Sequence, residues 1–437
     1  MKQLLTLLLL LFSFSGFSQG GFLNRVKQKV KDKVEYKADE KVDEGIDKGL
    51  DETENGIETT IKNSTAGENN EHNTQKKTAE NNPAKSTSFQ SYSRYDFVPG
   101  AQMVYAEDFS QDVIGEFPLL WATNNHGEVV TVKNQPGQWL RMFHTGHFAG
   151  PQLKKLPENF TVEFDMVLTF PNEGYVYPSI RFKLLQSPGT DKDGRYYLAN
   201  ADDIPQTTVS INPGEEESST IEMNTSRGSN KYFNAASKPL KQLSSDYGKP
   251  FHVAIWVQKT RFRMWMNGEK IYDIPQAIPA DMSFNRLAID VTSYFSDEEK
   301  IGVYATNIRV AEGAADVRNK LITEGNWTTN GIIFDVASDK IKPESSGVLK
   351  EIANTLKENP SVKIKIIGHT DSDGDDAQNL DLSKRRAAAV KDALIKDFQV
   401  EESRMQTDGM GETKPVADNK LKEGKAQNRR VEFIKLP

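Results

Sequence analysis

Ile366-Ile367-Gly368-His369-Thr370-Asp371, followed by Asn379-Leu380-Asp381-Leu382-Ser383-Lys384-Arg385-Arg386-Ala387, decides how the end of this chain folds. The first piece continues an alternation in which Val362, Ile364 and Ile366 share one face, the period of a buried strand. It runs into a turn rich in Asp and Gly, from Asp371 to Asp376, the chemistry that ends a strand. The second piece opens a helix. At 100° per residue, Asn379, Leu382, Ser383, Arg386, Ala387, Val390 and Leu394 fall on one face. Arg386 thereby sits among apolar neighbours, where a guanidinium needs an anionic partner. Asp371 at the mouth of the strand is a candidate. Two readings follow from spacing: an internal salt bridge, or a pocket in which Asp371 takes an ammonium and Arg386 forks onto a carboxylate. Spacing alone favours the salt bridge.

Working outward, Ile332-Ile333-Phe334 reads as a short strand, and Pro343 opens a helix with Leu349, Ile352, Ala353 and Leu356 on one face. A strand over 362–367, a helix over 378–397, a strand near Met405-Thr407, a short helix near 420–427 and a last strand over 430–436 complete the order. This is a β-α-β-α-β-(α)-β arrangement of α+β class, with helices on one side of a mixed sheet.

Gly-His-Thr-Asp at 368–371, Asn-x-x-Leu-Ser-x-x-Arg-Ala at 379–387, Gly409-x-Gly411-Glu412-x-x-Pro415 and Asn428-Arg429-Arg430-Val431-Glu432-Phe433 resemble the OmpA C-terminal domain. The resemblance spans residues 326–437 and comprises several motifs in order. It implies a non-covalent peptidoglycan-binding module in which Asp371 and Arg386 grip the diaminopimelate of a stem peptide. With that, the ligand reading overtakes the internal salt bridge. The resemblance also implies that Phe334 and Asp335 lie at the rim and that Thr370, Asn379 and Leu382 line the site, with Arg429 nearby. Lys425 stands where relatives often carry Arg. His369 is expected to tie the strand end to the backbone rather than act as a base. No nucleophile–base pair, metal-ligand set or phosphate-cradling loop accompanies these motifs, so neither cofactor nor metal is expected.

At the other end, residues 1–18 read as a signal peptide: Lys2, an apolar run from Leu4 to Phe12, then small residues with the cut after Ser18. The chain has no Cys, which excludes a lipid-bearing cysteine anchor, disulfides and thiol chemistry. Residues 19–95 are expected to be a charged, partly helical and then disordered tether. Val26, Val30, Val34 and Ala38 recur every fourth residue, a repeat that drifts around a helix instead of keeping one face. A net charge of −7 argues against nucleic acid as a partner.

Residues 96–312 read as all-β. Runs such as 129–132, 160–168, 179–185 and 251–257 are alternating or β-branched, and Arg261–Met266, Asn267-Gly268, Lys270–Tyr272 is a strong hairpin signal. A two-sheet sandwich is expected, similar to concanavalin-like or laminin-G-like jelly rolls, especially from Phe284 to Glu312. Charged residues crowd the hairpin and turns break the strands unevenly, which disfavours a transmembrane barrel. The acids of Glu163-Phe164-Asp165 share a face, but Val167 and Leu168 stand where a sandwich hydrolase needs a third acid, so the pair is expected on a solvated face. His144 and His147 are expected in a loop without acidic company, and Trp121, Trp139 and Tyr175 in core packing. The expected whole is a non-catalytic envelope protein on the periplasmic side of the outer membrane. Two rivals are a sandwich that binds or cuts glycans, and a scaffold whose sandwich meets an envelope protein.

Overall fold

The computed structural model describes residues 95–170, 177–292, 301–313 and 316–437, all within one compact unit. The expected signal peptide, nearly all of the tether, and Tyr175 lie outside the described residues. The chain opens with β1 (Gln102–Glu107), β2 (Ala122–Thr123), β3 (Gly127–Val130), β4 (Trp139–Met142), β5 (Gly146–Ala149) and β6 (Asn159–Thr169). Then come β7 (Ser179–Leu185), the short helix α1 (Arg195–Ala199), β8 (Gln206–Asn212), β9 (Thr220–Arg227), β10 (Asn230–Asn234) and β11 (Lys238–Pro239). β12 (Pro250–Gln258), β13 (Arg261–Met266), β14 (Glu269–Ile274), β15 (Arg286–Thr292) and β16 (Gly302–Glu312) complete the all-β part.

These strands form two antiparallel sheets. The first runs β14-β13-β12-β6-β16-β4-β3 with β1 also on β16; the second runs β10-β9-β8-β7-β15-β5-β2 with β11 also on β9. Their inner faces share one core: Val162, Phe164, Val253 and Ile255 from the first meet Ile180, Phe182, Val209 and Ile289 from the second. The rings of Phe164 and Phe182 lie 4.8 Å apart across it. The strands therefore make two open sheets around a filled core, and not one closed sheet around a lumen. The hairpin forms as its sequence dictates, with Asn267 and Gly268 at φ 45° and 80°, the left-handed pair that a two-residue turn between twisted strands requires.

The C-terminal part contains β17 (Asn326–Thr329), α2 (Ser346–Glu358), β18 (Ile364–His369), α3 (Asp376–Lys396), β19 (Met405–Gly411), α4 (Lys422–Asn428) and β20 (Val431–Lys435). Its sheet runs β17-β20-β18-β19, with β18 and β19 parallel and β20 antiparallel to both neighbours. Ile364 and Ile366 pack with Leu349, Ile352, Ala387, Val390 and Leu394, so α2 and α3 cover the same face of β18. One expectation fails here. Ile332-Ile333-Phe334 is not a strand: it contributes a single bridge, Phe334 to Ile341, and Asn326–Thr329 takes the edge beside β20. Trp327 anchors that edge by stacking on Phe433 at 5.7 Å.

The two parts are stitched by a strap, Tyr95–Gly100. Tyr95, assigned to the tether by the sequence, is fully buried. Tyr95 and Phe97 pack on Trp265 of the first sheet's outer face, with ring centroids 6.2 and 5.4 Å away. The next residue, Val98, belongs to the C-terminal core. Gly347 in α2 permits this approach, since a Cβ there would stand 2.0 Å from the carbonyl oxygen of Phe97. Lys422 of α4 closes the other end, 2.5 Å from Glu107 and 2.7 Å from Asp112.

Candidate ligand site

A cleft of about 1280 Å³ lies between the first sheet and the C-terminal part. Phe334, Asp335, Thr370, Asp371, Asn379, Leu382, Arg386 and Arg429 all line it, so the eight residues singled out in the sequence converge on one space. The local fold explains this. Asp371 follows the end of β18, and the Asp375 side chain caps α3 by accepting from the backbone of Ala377 and Gln378, both at 3.0 Å. Between them the loop is pinned by Asn379, whose amide donates to Asp373 O at 3.1 Å and Glu412 Oε2 at 2.7 Å. Asn379 thus holds the loop in place, with its donors spent inside the protein.

Asp371 and Arg386 do not pair with each other. Arg429 Nη1 donates to Asp371 Oδ2 at 2.6 Å, while Asp371 Oδ1 accepts from the Asp373 backbone at 3.2 Å. Arg386 Nε donates to Ser338 O at 2.9 Å, and its guanidinium lies 4.9 Å from the centre of the Phe334 ring. Among the described residues no hydrogen bond uses the two Nη groups of Arg386. Burial lowers the pKa of this guanidinium, and the charge of Asp371 opposes that shift. Thr370 is held by its backbone to Gly411 O at 3.0 Å, but its buried Oγ1 has no hydrogen-bond partner among the described residues. The site therefore presents an acid flanked by two guanidiniums, an aromatic face and an uncommitted hydroxyl. His369 differs from expectation: its imidazole Nε2 meets the Glu432 carboxylate at 3.2 Å, in addition to the backbone bond to Arg430 O. Burial, with the neighbouring Arg430 charge, pushes its pKa down.

The opposite wall escaped the sequence reading. Glu163 and Asp165 are buried, 4% and 8% exposed, not solvated. Register puts His252 of β12 directly across from Asp165, and Arg309 of β16 directly across from Glu163. His252 Nδ1 lies 2.7 Å from Asp165 Oδ1, Asn307 Nδ2 donates to Asp165 Oδ2 at 2.8 Å, and Arg309 Nη2 donates to Glu163 at 3.2 Å. His252 Nε2 is 3.4 Å from Glu163 Oε1, an ion contact without hydrogen-bond geometry. Lys342 reaches across from the C-terminal part to within 3.8 Å of Asp165. Burial alone would raise both acids; His252 beside Asp165 and Arg309 beside Glu163 hold both below their ordinary values. Against its own burial, His252 is pushed up to about 9 by the two carboxylates.

His147 also departs from expectation. It lies in β5 with Nδ1 2.9 Å from Asp290, in acidic company after all. Trp121 and Trp139 are core residues as expected, 5% and 2% exposed. A smaller hollow of about 280 Å³ on the second sheet is lined by polar side chains, among them Arg181, Thr208 and Glu222, without an aromatic platform.

The site and its scaffold define a small mixed-sheet domain with a charged pocket at the strand–helix junction. Residues 333–429 are an OmpA family domain. This region is 48% identical over 99 residues to outer membrane porin F of Pseudomonas aeruginosa, covering 23% of this chain and 28% of that protein. It is 44% identical over 108 residues to the probable lipoprotein YiaD of Escherichia coli, covering 25% and 49%. The chain thus spans half or less of these relatives. The peptidoglycan-associated lipoprotein of Burkholderia pseudomallei aligns structurally at 30% identity and a TM-score of 0.24, over 28% of this chain and 98% of that one.

Proposed function

We propose that this chain is a non-catalytic cell-envelope protein that binds peptidoglycan non-covalently through its C-terminal OmpA family domain. The observation that carries the reading is the convergence of Asp371, Arg386, Arg429 and Phe334, all residues of that domain, on one cleft. Diaminopimelate on an uncrosslinked stem peptide bears an ammonium and a carboxylate on one carbon. The ammonium meets Asp371, and the carboxylate takes the Nη groups of Arg386, with Arg429 moving its charge between the two anions. Phe334 packs under the guanidinium and fixes its plane.

The relatives named as an outer membrane porin and a lipoprotein support association with the outer membrane. The periplasmic side, a cleaved signal peptide over 1–18, the tether over 19–95, and the division into 96–312 and 326–437 belong to the same proposal. So does kinship of the two-sheet part with jelly rolls. An envelope protein or glycan at the two-sheet part completes the proposed partners. Glycan cleavage through Glu163 and Asp165 finds no support in their chemistry. A glycosidase needs one carboxyl kept protonated near neutral pH, whereas both acids here are held ionised.

The test is a pull-down of the full chain on purified sacculi, with thermal unfolding followed on the same preparations. Asp371→Ala and Arg386→Ala should each abolish most binding while the unfolding midpoint stays near that of the wild type. Variants that melt early yet bind in proportion to their folded fraction would reduce the pair to a structural role.

A further inference from the structure

Asp371 is already occupied. Arg429 Nη1 holds its Oδ2 at 2.6 Å, and the Asp373 backbone holds its Oδ1 at 3.2 Å. An ammonium that takes Asp371 must turn Arg429 away, and a guanidinium displaced within a cleft needs another anion. In the reading above Arg386 meets the ligand's carboxylate, which leaves the charge of Arg429 to be placed. Resting on that reading, we propose that the two-sheet part supplies the partner: Asp108 receives Arg429 when the ammonium displaces it from Asp371. Asp108 is then a positioning residue, acting on the ligand through Arg429.

The placement starts from α4. Lys422, Lys425 and Arg429 follow one another at helical spacing along this helix and the residue that ends it. Lys425 pairs with Asp373 at 2.7 Å, and Lys422 pairs with Glu107, the last residue of β1. Gln427 Nε2 donates to Met103 O at 3.2 Å, so both ends of α4 are docked on β1. Asp108 comes directly after β1 and lines the same cleft as Arg429. Its Oδ1 accepts from the Ser110 amide at 3.1 Å and from the Ser110 hydroxyl at 2.6 Å. Among the described residues no hydrogen bond uses its Oδ2. The Arg429 side chain, 42% exposed, has room to swing.

Counting the other acids of the cleft leaves Asp108 for the role. Glu107 is held by Lys422, Asp165 by His252, Asp335 by Lys340 and Asp381 by Arg385. Asp373 is held by Lys425, and Asp375 caps α3. Glu344 has no ion pair among the described residues, but it lies by the strap, where burial and the charges of Glu163 and Glu344 raise the pKa of Tyr95. Asp108 is the acid that feels Arg429. Burial alone would raise its carboxyl; the Ser110 hydrogen bonds and the charges of Arg429 and Lys422 hold it below its ordinary value.

Calorimetric titration of the full chain with the tripeptide L-alanyl-γ-D-glutamyl-meso-diaminopimelate tests this. Asp108→Asn removes the charge but keeps the oxygen that Ser110 uses, so its unfolding midpoint should match the wild type. It should bind the tripeptide about threefold more weakly, the scale of one partly exposed ion pair. Asp108→Glu, which keeps the charge, should stay within about twofold of the wild type. In an Arg429→Gln background, Asp108→Asn should weaken binding no further, because the group it receives is gone. Unchanged or tighter binding by Asp108→Asn, an equal loss in Asp108→Glu, or an equal loss in the Arg429→Gln background overturns the role of Asp108 while the C-terminal reading stands. Failure of the wild type to bind the tripeptide overturns both.

Discussion

The outer faces of the two sheets each carry a buried carboxylate surrounded by basic groups, and the two clusters differ in what covers them. On the second sheet Asp290, 0% exposed, lies 2.7 Å from Lys183, 2.9 Å from His147 and 2.5 Å from the hydroxyl of Tyr197. α1 and its loop seal this cluster with Tyr197, Ile204 and Leu198 from the same part of the chain. On the first sheet Asp165 and His252 are as tightly paired, yet they border a cleft whose far wall belongs to the C-terminal part. Similar ion chemistry serves two ends. Covered by its own loop it is sealed into the fold; on the first sheet it borders open space.

The sealed cluster should react most strongly to mutation. Asp290→Ala strands Lys183 in a dry site and should cost about 3–5 kcal/mol in denaturant unfolding. Its folded fraction should bind sacculi as the wild type does. A loss of binding without a loss of stability would break the contrast between the clusters.

The open cluster should show itself in pH dependence. His252 has a raised pKa, so its contribution is complete below its unfolded value near 6.5 and is lost as pH rises through about 9. Asp165 and Glu163 are depressed, so their contributions are present above the ordinary carboxylate range and are lost in acid. Between pH 6 and 9.5 the wild type should lose on the order of 1–3 kcal/mol that His252→Gln does not lose. Parallel stability curves for the two proteins would count against the ion cluster.

The cover over the open cluster can be tested at the strap. Gly347→Ala forces a Cβ against the Phe97 carbonyl and should cost about 2 kcal/mol, as overpacking of a fitted contact does. Wild-type stability would mean that the strap moves aside freely. The smallest effect belongs to Arg261, which pairs with Asp273 at 2.7 Å with its side chain 45% exposed. Arg261→Gln should change stability by less than about 1 kcal/mol. A larger loss would show that exposed pairs on this sheet carry weight that solvent normally screens.

What the sequence revealed follows the range of the interactions. β18 and α3 were legible because Val362, Ile364 and Ile366 alternate, and because Ser383, Ala387, Val390 and Leu394 recur at helical spacing. The hairpin was legible from Asn267-Gly268 alone. Ile332-Ile333-Phe334 misled because an apolar run records burial, not pairing, and the edge went to Asn326–Thr329, a run anchored by Trp327. The eight residues that line the cleft were singled out through the family resemblance, but the pairing of Asp371 with Arg429 was not, since the two lie 58 residues apart. The facing wall was out of reach for the same reason. Asp165 and His252 are 87 residues apart, and only strand register brings them together. Alternating acids at 163 and 165 looked solvated because nothing local announces a neighbouring strand with His252 or Arg309 in step.

The most direct test of peptidoglycan recognition is to titrate the full chain with one stem peptide in two forms. In the first, the diaminopimelate ammonium is free; in the second, it is converted to an amide, as cross-linking does. The amide leaves Asp371 without the incoming charge, a loss of about 2 kcal/mol or more, so binding should weaken roughly 30-fold or further. Equal affinity for the two forms would contradict a site built to hold a zwitterion between Asp371 and Arg386.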